Sequence, residues 1–362
     1  MPVTIKDIAK RTGLSASTVS RALNNSRLVK QSTKEKVWSI AKELDYRSSA
    51  IARSLVRNKT ETLGLVVPSA RKFENTVFTL ILEGVAEEAK SIGYSLIFSA
   101  VGDDSHMSDV AITKLEEQRV DGYILMWLKD RHVSSSQLAE LAKKGPPFIL
   151  IADRVLEPGI NLVACNNELG GYKATRHLID LEHTRIAMIS NSENPMISKR
   201  RHDGYRLALK EAGLWCLDEL YQPARFSQRG SGQAAMSSLL DSGIQFTAVF
   251  VYCDILAAEA IKAVHAQGLR VPEDIAVVGY DGAEFGEALT PAITTIKQPS
   301  YEIGKQAVQM LKKVLDGEEL WDNQRWIEPE LVIRASCGYK ARSGYMATPL
   351  NNREVILQKK IK

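Results

Sequence analysis

The chain has 362 residues, 44% apolar, 25% charged and 7% aromatic, enough for two or three folded domains and unlike a disordered or collagen-like chain. No run reaches the roughly 18 consecutive apolar residues of a membrane span, the opening MPVTIKDIAK has no apolar signal core, and Cys165, Cys216, Cys253 and Cys337 are widely spaced without a CxxC pair, so the expectation is a cytoplasmic protein with no membrane partner, disulfide framework or zinc ribbon. The net charge of +4 is uneven: residues 1–60 hold thirteen basic and four acidic residues, the remainder 34 basic and 39 acidic, a basic head suited to a polyanion on a mildly acidic body.

The head reads as three short helices. Thr4 with Asp7 can cap the first, whose apolar face is Ile5, Ile8 and Ala9, and Gly13 suits its left-handed stop. Ser15 caps a second helix with Val19, Ala22 and Leu23 inward. The short glycine-containing turn between them is that of a helix-turn-helix. Ser32 and Glu35 form a capping box for a third helix, with Val37, Ile40, Ala41 and Leu44 inward. Three small helices around one core, strongly basic, are expected to read DNA.

The run TIKDIAKRTGLSASTVSRALNN, followed by a helix leading into ELDYRSSAIARSL, resembles the LacI/GalR family of bacterial transcriptional regulators. The resemblance implies that Ala16, Ser17 and Arg21 meet base edges. Arginine can pair bidentately with guanine, and alanine offers a methyl contact to thymine. Thr4, Thr18, Ser20 and Asn24 are implied as phosphate contacts, which set register without reading sequence. Residues 49–57, SAIARSLVR, resemble the family's hinge helix, and nine residues are too few for a stable isolated helix. Two such helices are implied to share the minor groove, with Leu55 wedging a base step beside Ala52 and Arg53. Arg47 is followed by Ser48, where the family often has proline.

From residue 60 onward, apolar runs alternate with helical patterns. Strands are expected at 63–67, 94–99, 122–126, 147–152, 185–190, 247–251 and 275–279, with helices such as Phe78–Ile92 and Gly171–Ile179 between them. The fold class is therefore α/β: a helix-turn-helix head plus an open, doubly wound body of parallel sheets. Breaks in spacing near 160 and 290 suggest two lobes with chain crossovers and a ligand cleft at the carboxyl ends of the strands. The expected domains are 1–47, a hinge and linker at 48–60, the body at 61–340 and a polar, basic tail at 341–362 without a leucine heptad.

The resemblance extends through ADR (152–154), GGYKATRHLIDLEHTRIAMIS (170–190), RHDGYRLALKEAGL (201–214), AVVGYDG (276–282) and LTPAITTIKQP (289–299). It implies a two-lobed body similar to periplasmic sugar-binding proteins. Its cleft would use Asn75, Phe78, Asp153, Arg154, Lys199, Arg201, Phe226, Cys253 and Asp281. Cys253 stands where relatives often have Asn, Val77 replaces an aromatic, and Asn166 replaces the Asp of a D-N pair. Carboxylates that accept from hydroxyls, a guanidinium fork and an aromatic ring suit a sugar or sugar derivative. A purine or nucleoside stacked on Phe226 is the alternative.

The function expected is a homodimeric regulator, a repressor, that binds a palindromic double-stranded DNA operator and is switched by that effector. A small-molecule binding protein with only nonspecific DNA anchoring is the second possibility. Enzyme signatures are weak. GSGQAA (230–235) follows RFSQR and not a buried strand, and there is no Walker A, G-x-S-x-G or HExxH. The six histidines include no pair at helical ligand spacing, so neither metal nor cofactor is expected.

Overall fold

The computed structural model describes residues 3–46, 59–68, 76–101, 120–126, 138, 141–143, 146–152, 159–320 and 323–339. It divides into two compact units, Met1–Glu61 and Thr62–Lys362. The hinge segment with Ala52, Arg53 and Leu55, the cleft residues Asn75, Asp153 and Arg154, and the tail from 340 lie outside the described residues.

The head has α1 (Ile5–Thr12), α2 (Ala16–Leu23) and α3 (Gln31–Glu43). Asp7 Oδ2 accepts both the backbone N–H and the hydroxyl of Thr4, at 2.8 and 2.7 Å. Gly13 ends α1 at φ +73°, and Ser15 Oγ accepts the Thr18 N–H at 3.2 Å to start α2. Ile8, Val19, Ala22, Val29, Val37 and Ala41 are buried as one core. The third helix differs from the sequence reading. Lys30 stands at its cap without a side-chain bond, Ser32 is already helical, and Glu35 pairs with Gln31 at 3.1 Å. Buried Val29 draws the preceding chain inward, and the helix begins two residues early.

The larger unit contains two six-stranded sheets. In the first lobe the order is β11-β5-β4-β3-β1-β2, all parallel. Its strands are β1 (Thr62–Pro68), β2 (Ser95–Val101), β3 (Gly122–Met126), β4 (Phe148–Ile151), β5 (Leu162–Cys165) and β11 (Gln324–Ile327). Helix α4 (Thr76–Ser91) follows β1. In the second lobe the order is β12-β10-β9-β8-β6-β7, parallel except for the antiparallel β10–β12 pair. These strands are β6 (Ile186–Asn191), β7 (Tyr221–Ala224), β8 (Ala248–Val251), β9 (Ala276–Asp281), β10 (Thr294–Lys297) and β12 (Glu330–Val332). Their helices include α5 (Asn167–Asp180), α6 (Pro195–Glu211), α7 (Ser231–Asp241) and α8 (Asp254–Ala266). The chain crosses between lobes after β5, returns after β10 into α9 (Ser300–Leu315), and crosses again from β11 to β12.

Apolar clusters cover each sheet. Leu63, Ile124, Ile149 and Val163 face α4 and α9 in the first lobe. Val249, Val251 and Val277 join Leu239, Leu256 and Val264 of α7 and α8 in the second. Near-continuous burial along β3, β4, β5, β6 and β8 is what parallel strands covered on both faces require. Four-residue β5, β7, β10 and β11, and three-residue β12, escape the sequence reading. Among them β7 contains proline, β10 buries two threonines and β12 has only three residues, so no apolar run marks them.

Helices α5 and α6 touch through glycine. A Cβ on Gly171 would stand 2.1 Å from the Arg201 carbonyl oxygen, and one on Gly204 would stand 1.9 Å from that of Glu168. Only glycine permits this backbone approach. It brings Arg201 of α6 beside Asn167 at the start of α5.

Candidate DNA interface and effector site

On α2, Ala16, Ser17 and Arg21 are exposed, while Thr18, Ser20 and Asn24 are half-buried. Residues 16, 17, 20 and 21 share one side at one-turn spacing, opposite buried Val19 and Ala22. Three of the polar groups are engaged locally. Ser15 Oγ lies 2.9 Å from Ser17 Oγ and 2.8 Å from Thr18 Oγ1, and Asn24 Nδ2 donates to the Ser20 carbonyl at 2.9 Å. The Arg21 guanidinium binds no group among the described residues. Thr4 is exposed at the start of α1. The chain leaves α2 through a Ser26 N–H bond to the Arg21 carbonyl at 2.9 Å, which sets exposed Arg27 and Leu28, 82% exposed, just beyond the same helix. The sequence reading passed over both. A basic–apolar pair directly after the motif was the available signal.

In the body, the structure gathers Arg201 and Asp281 into one buried cluster. Arg201 is 2% exposed. Its Nε donates to Asn167 Oδ1 at 2.8 Å, Nη1 donates to the Tyr252 carbonyl, and Nη2 stands 3.5 Å from Asp281 Oδ1. The guanidinium carbon lies 3.5 Å from the Tyr280 ring centroid and 4.4 Å from that of Tyr252. Burial alone would lower the Arg201 pKa, but Tyr280, Tyr252 and Asp281 hold it up, and the group stays cationic. Asp281 is raised by burial against the opposing pull of Arg201. Gln298 Nε2 also donates to Asp281 Oδ1, at 2.7 Å.

This cluster spans the lobes. Asp281 ends β9 in the second lobe, and Gln298 lies on the return crossover. Gln298 also borders a void of about 10 Å³ with first-lobe Ile81, Ile151 and Cys165, room for about one water. Cys165 Sγ is 3.8 Å from the Tyr280 hydroxyl. A broader depression of about 610 Å³ lies elsewhere, beneath exposed Trp215, and contains none of the sequence-expected residues.

The guanidinium fork expected to reach two ligand hydroxyls is instead committed to protein groups on its edges and lies over two tyrosine rings. Three other expected cleft residues are placed differently. Phe78 is wholly buried in the first-lobe core, because the first turn of α4 packs inward against β1. Lys199 is 68% exposed and pairs with Asp203 at 2.5 Å, since two residues along a helix separate it from the inward face of Arg201. Cys253 is 1% exposed at the α8 cap and makes no side-chain capping bond there. Phe226 is half-buried on the second-lobe core, and its N–H donates to Asn191 Oδ1 at 3.3 Å. The Asn191 side chain also bonds the Tyr252 hydroxyl, which links Phe226 to the Arg201 cluster.

Asn167, Tyr252, Tyr280, Gln298 and Asp254 are the cluster members that sequence reasoning did not single out. The usable signal was position: each flanks a strand's carboxyl end, where open α/β sheets bind ligands. No described helix is long and apolar enough to cross a membrane, and no three His, Cys, Asp or Glu among the described residues are placed to hold a metal.

The sequence pattern described as bacterial regulatory proteins, lacI family, matches residues 4–49, and that of the periplasmic binding protein-like domain matches 175–337. The chain is 34% identical to the HTH-type transcriptional repressor PurR of Aliivibrio fischeri over 336 residues, 92% of this chain and 98% of that one. It is equally similar, with the same coverage, to the ribose operon repressor of Haemophilus influenzae. A lac repressor dimer bound to operator and the anti-inducer ONPF superposes with a TM-score of 0.80 at 27% identity, over 93% of this chain and 99% of that one. The helix-turn-helix head and the two-lobed effector-binding body thus have full-length counterparts, and the chain belongs to the LacI family of DNA-binding transcriptional regulators.

Proposed function

We propose that the protein represses transcription from the bacterial chromosome, in the cytoplasm, as a homodimer on a palindromic operator. Ala16, Ser17 and Arg21 read base edges, and Thr4, Thr18, Ser20 and Asn24 fix the phosphates. Leu55 wedges the central step beside Ala52 and Arg53. The observation that carries this reading is Arg21, exposed and unbonded on the outward side of a capped α2. A free fork in that position suits bidentate pairing with guanine. Dimerisation is supported by apolar exposure in the second lobe. Ile255, Phe285 and Leu289 are 38%, 39% and 37% exposed, and the Asp254–Ala283 bond draws the first two segments together.

The effector is a sugar or sugar derivative held between the lobes by Asp281 and Phe226, with Asn75, Asp153 and Arg154 as the further contacts that the family likeness implies. Arg201 serves this site by holding Asp281. A purine or nucleoside is the second reading, supported by the half-buried Phe226 ring. Selection from random double-stranded DNA tests the first part: a palindromic consensus is expected from the wild type, and a consensus without symmetry overturns the dimeric reading. Thermal shift against sugars, sugar phosphates and nucleosides tests the second. A ligand at about 100 times its Kd adds roughly 2.7 kcal/mol. A response to nucleosides alone overturns the sugar reading.

A further inference from the structure

Asp254 meets the candidate effector wall only through the backbone. It opens α8 and is 1% exposed. Its Oδ2 accepts the Ala283 N–H at 2.7 Å, and the Thr295 hydroxyl bonds the same carboxyl group. Thr295 Oγ1 in turn accepts the Gly282 N–H at 3.2 Å. Both peptide N–H groups that follow Asp281 are therefore tied to Asp254, one directly and one through a hydroxyl.

Those ties matter because Asp281 has φ +105°, a region disfavoured for a residue with a Cβ. Such a conformation persists only where the surroundings over-determine it. Gly282 continues the turn at φ +75°. Space for the clamp comes from Gly279, where a Cβ would stand 2.2 Å from Asp254 Oδ1. Oδ1 itself has no hydrogen-bond partner. A buried carboxylate with an orphan oxygen is costly, whereas a neutral acid is less so. Burial, then the charge of Asp281, pushes Asp254 up to about 7. The charged groups that act on it are Asp281, which raises it, and Arg334, which lowers it.

We propose that Asp254 is a positioning residue for the effector site. By holding the Gly282 and Ala283 N–H groups, it fixes Asp281 in the backbone conformation that aims its carboxylate at Arg201 and Gln298. This rests on Asp281 being effector-facing, and the experiment separates the two ideas.

The full-length wild type, Asp254→Asn, Asp254→Ala and Asp281→Asn proteins are compared at pH 6, where Asn matches a neutral Asp. Crystal structures of the two Asp254 variants read the geometry without any ligand. Asp254→Ala is expected to lose the left-handed Asp281 backbone and the Gln298 bond, and Asp254→Asn to keep both. An unchanged Asp281 in Asp254→Ala overturns the proposal. Should Asp254→Ala not fold, Thr295→Val removes the tie to Gly282 alone, and an unmoved Gly282–Asp281 turn there overturns it equally. Calorimetry with D-ribose is the functional readout. Where wild type binds ribose, Asp254→Ala weakens it by about tenfold or more and Asp254→Asn by less than about threefold, the former equal to roughly 1.4 kcal/mol. Ribose binding unaffected by Asp281→Asn refutes the effector reading, while the backbone result still decides the role of Asp254.

Discussion

Two arginines divide the work of this molecule, and their surroundings are opposite. Arg21 stands exposed on α2 with no partner among the described residues. Arg201 is 2% exposed, bonded on its edges to Asn167, Tyr252 and Asp281, and covered by two tyrosine rings. A donor kept free in water can be given to an anionic partner at little conformational cost. A donor already satisfied inside the protein stabilises the fold and sets the geometry of its neighbours. One residue type thus stands free at the surface and organises from the interior, and substitution should separate the base-reading role proposed for Arg21 from the structural role of Arg201.

The largest effect is expected at Arg201. Arg201→Ala leaves Asp281 buried without its cation, and breaking a buried pair this way costs about 3–5 kcal/mol. Urea unfolding of the full-length protein should show the body's midpoint falling by a corresponding amount, with the effector response lost. A midpoint within error of wild type would mean that the cluster contributes no net stability.

Asp254 gives the next largest effect, as a pH dependence. The folded protein holds a proton on this group up to about 7, while the unfolded chain releases it near 3.8. Folding therefore takes up a proton between those values, and stability contributed by the group is full below about 4 and lost as pH rises to about 7. Asp281, raised in the same direction, adds to the slope. Asp254→Asn cannot ionise, so it should stabilise the protein at pH 8 relative to pH 4 by on the order of 4 kcal/mol compared with wild type. Equal stability profiles for the two proteins would show that Asp254 ionises normally.

On the exposed side the consequences are smaller and confined to DNA. Arg21→Ala should remove about 1–3 kcal/mol of discrimination at one base pair in each half-site. Melting should stay within about 0.5 kcal/mol of wild type, as is usual for surface sites. Quantitative gel shifts on operator and random DNA separate base reading from phosphate contact, since equal losses on both would leave only the latter.

The same contrast explains what the sequence made legible. The head was readable almost residue by residue, because caps, apolar spacing and turn glycine are local: Thr4, Gly13 and Ser15 occupy the expected positions. The parallel body was readable at most of the strands that form apolar runs, though not at β5, and lost at β7 and β10, where proline and threonine interrupt them. The cluster was only partly legible. Arg201 and Asp281 could be named from the family likeness, but Asn167, Tyr252, Gln298 and Asp254 come together through crossovers between sequence-distant segments. Lys199 shows the limit well. Two residues before Arg201, it faces solvent, because helical positions two apart lie on opposite sides.

That difference yields the smallest prediction. Lys199 pairs with Asp203 one turn along α6, and both side chains are substantially exposed, 68% and 36%. Exposed pairs at this spacing contribute about 0.3–0.5 kcal/mol and are screened by salt. Lys199→Ala should therefore shift the urea midpoint barely at all, less still at high ionic strength, and leave both the effector response and operator affinity unchanged. Its outcome is the sharpest contrast with Arg201, two residues further along the helix. If Lys199→Ala abolishes the effector response while stability stays near wild type, the lysine must swing inward when ligand binds, and the inward face of α6 would extend further than Arg201 alone defines.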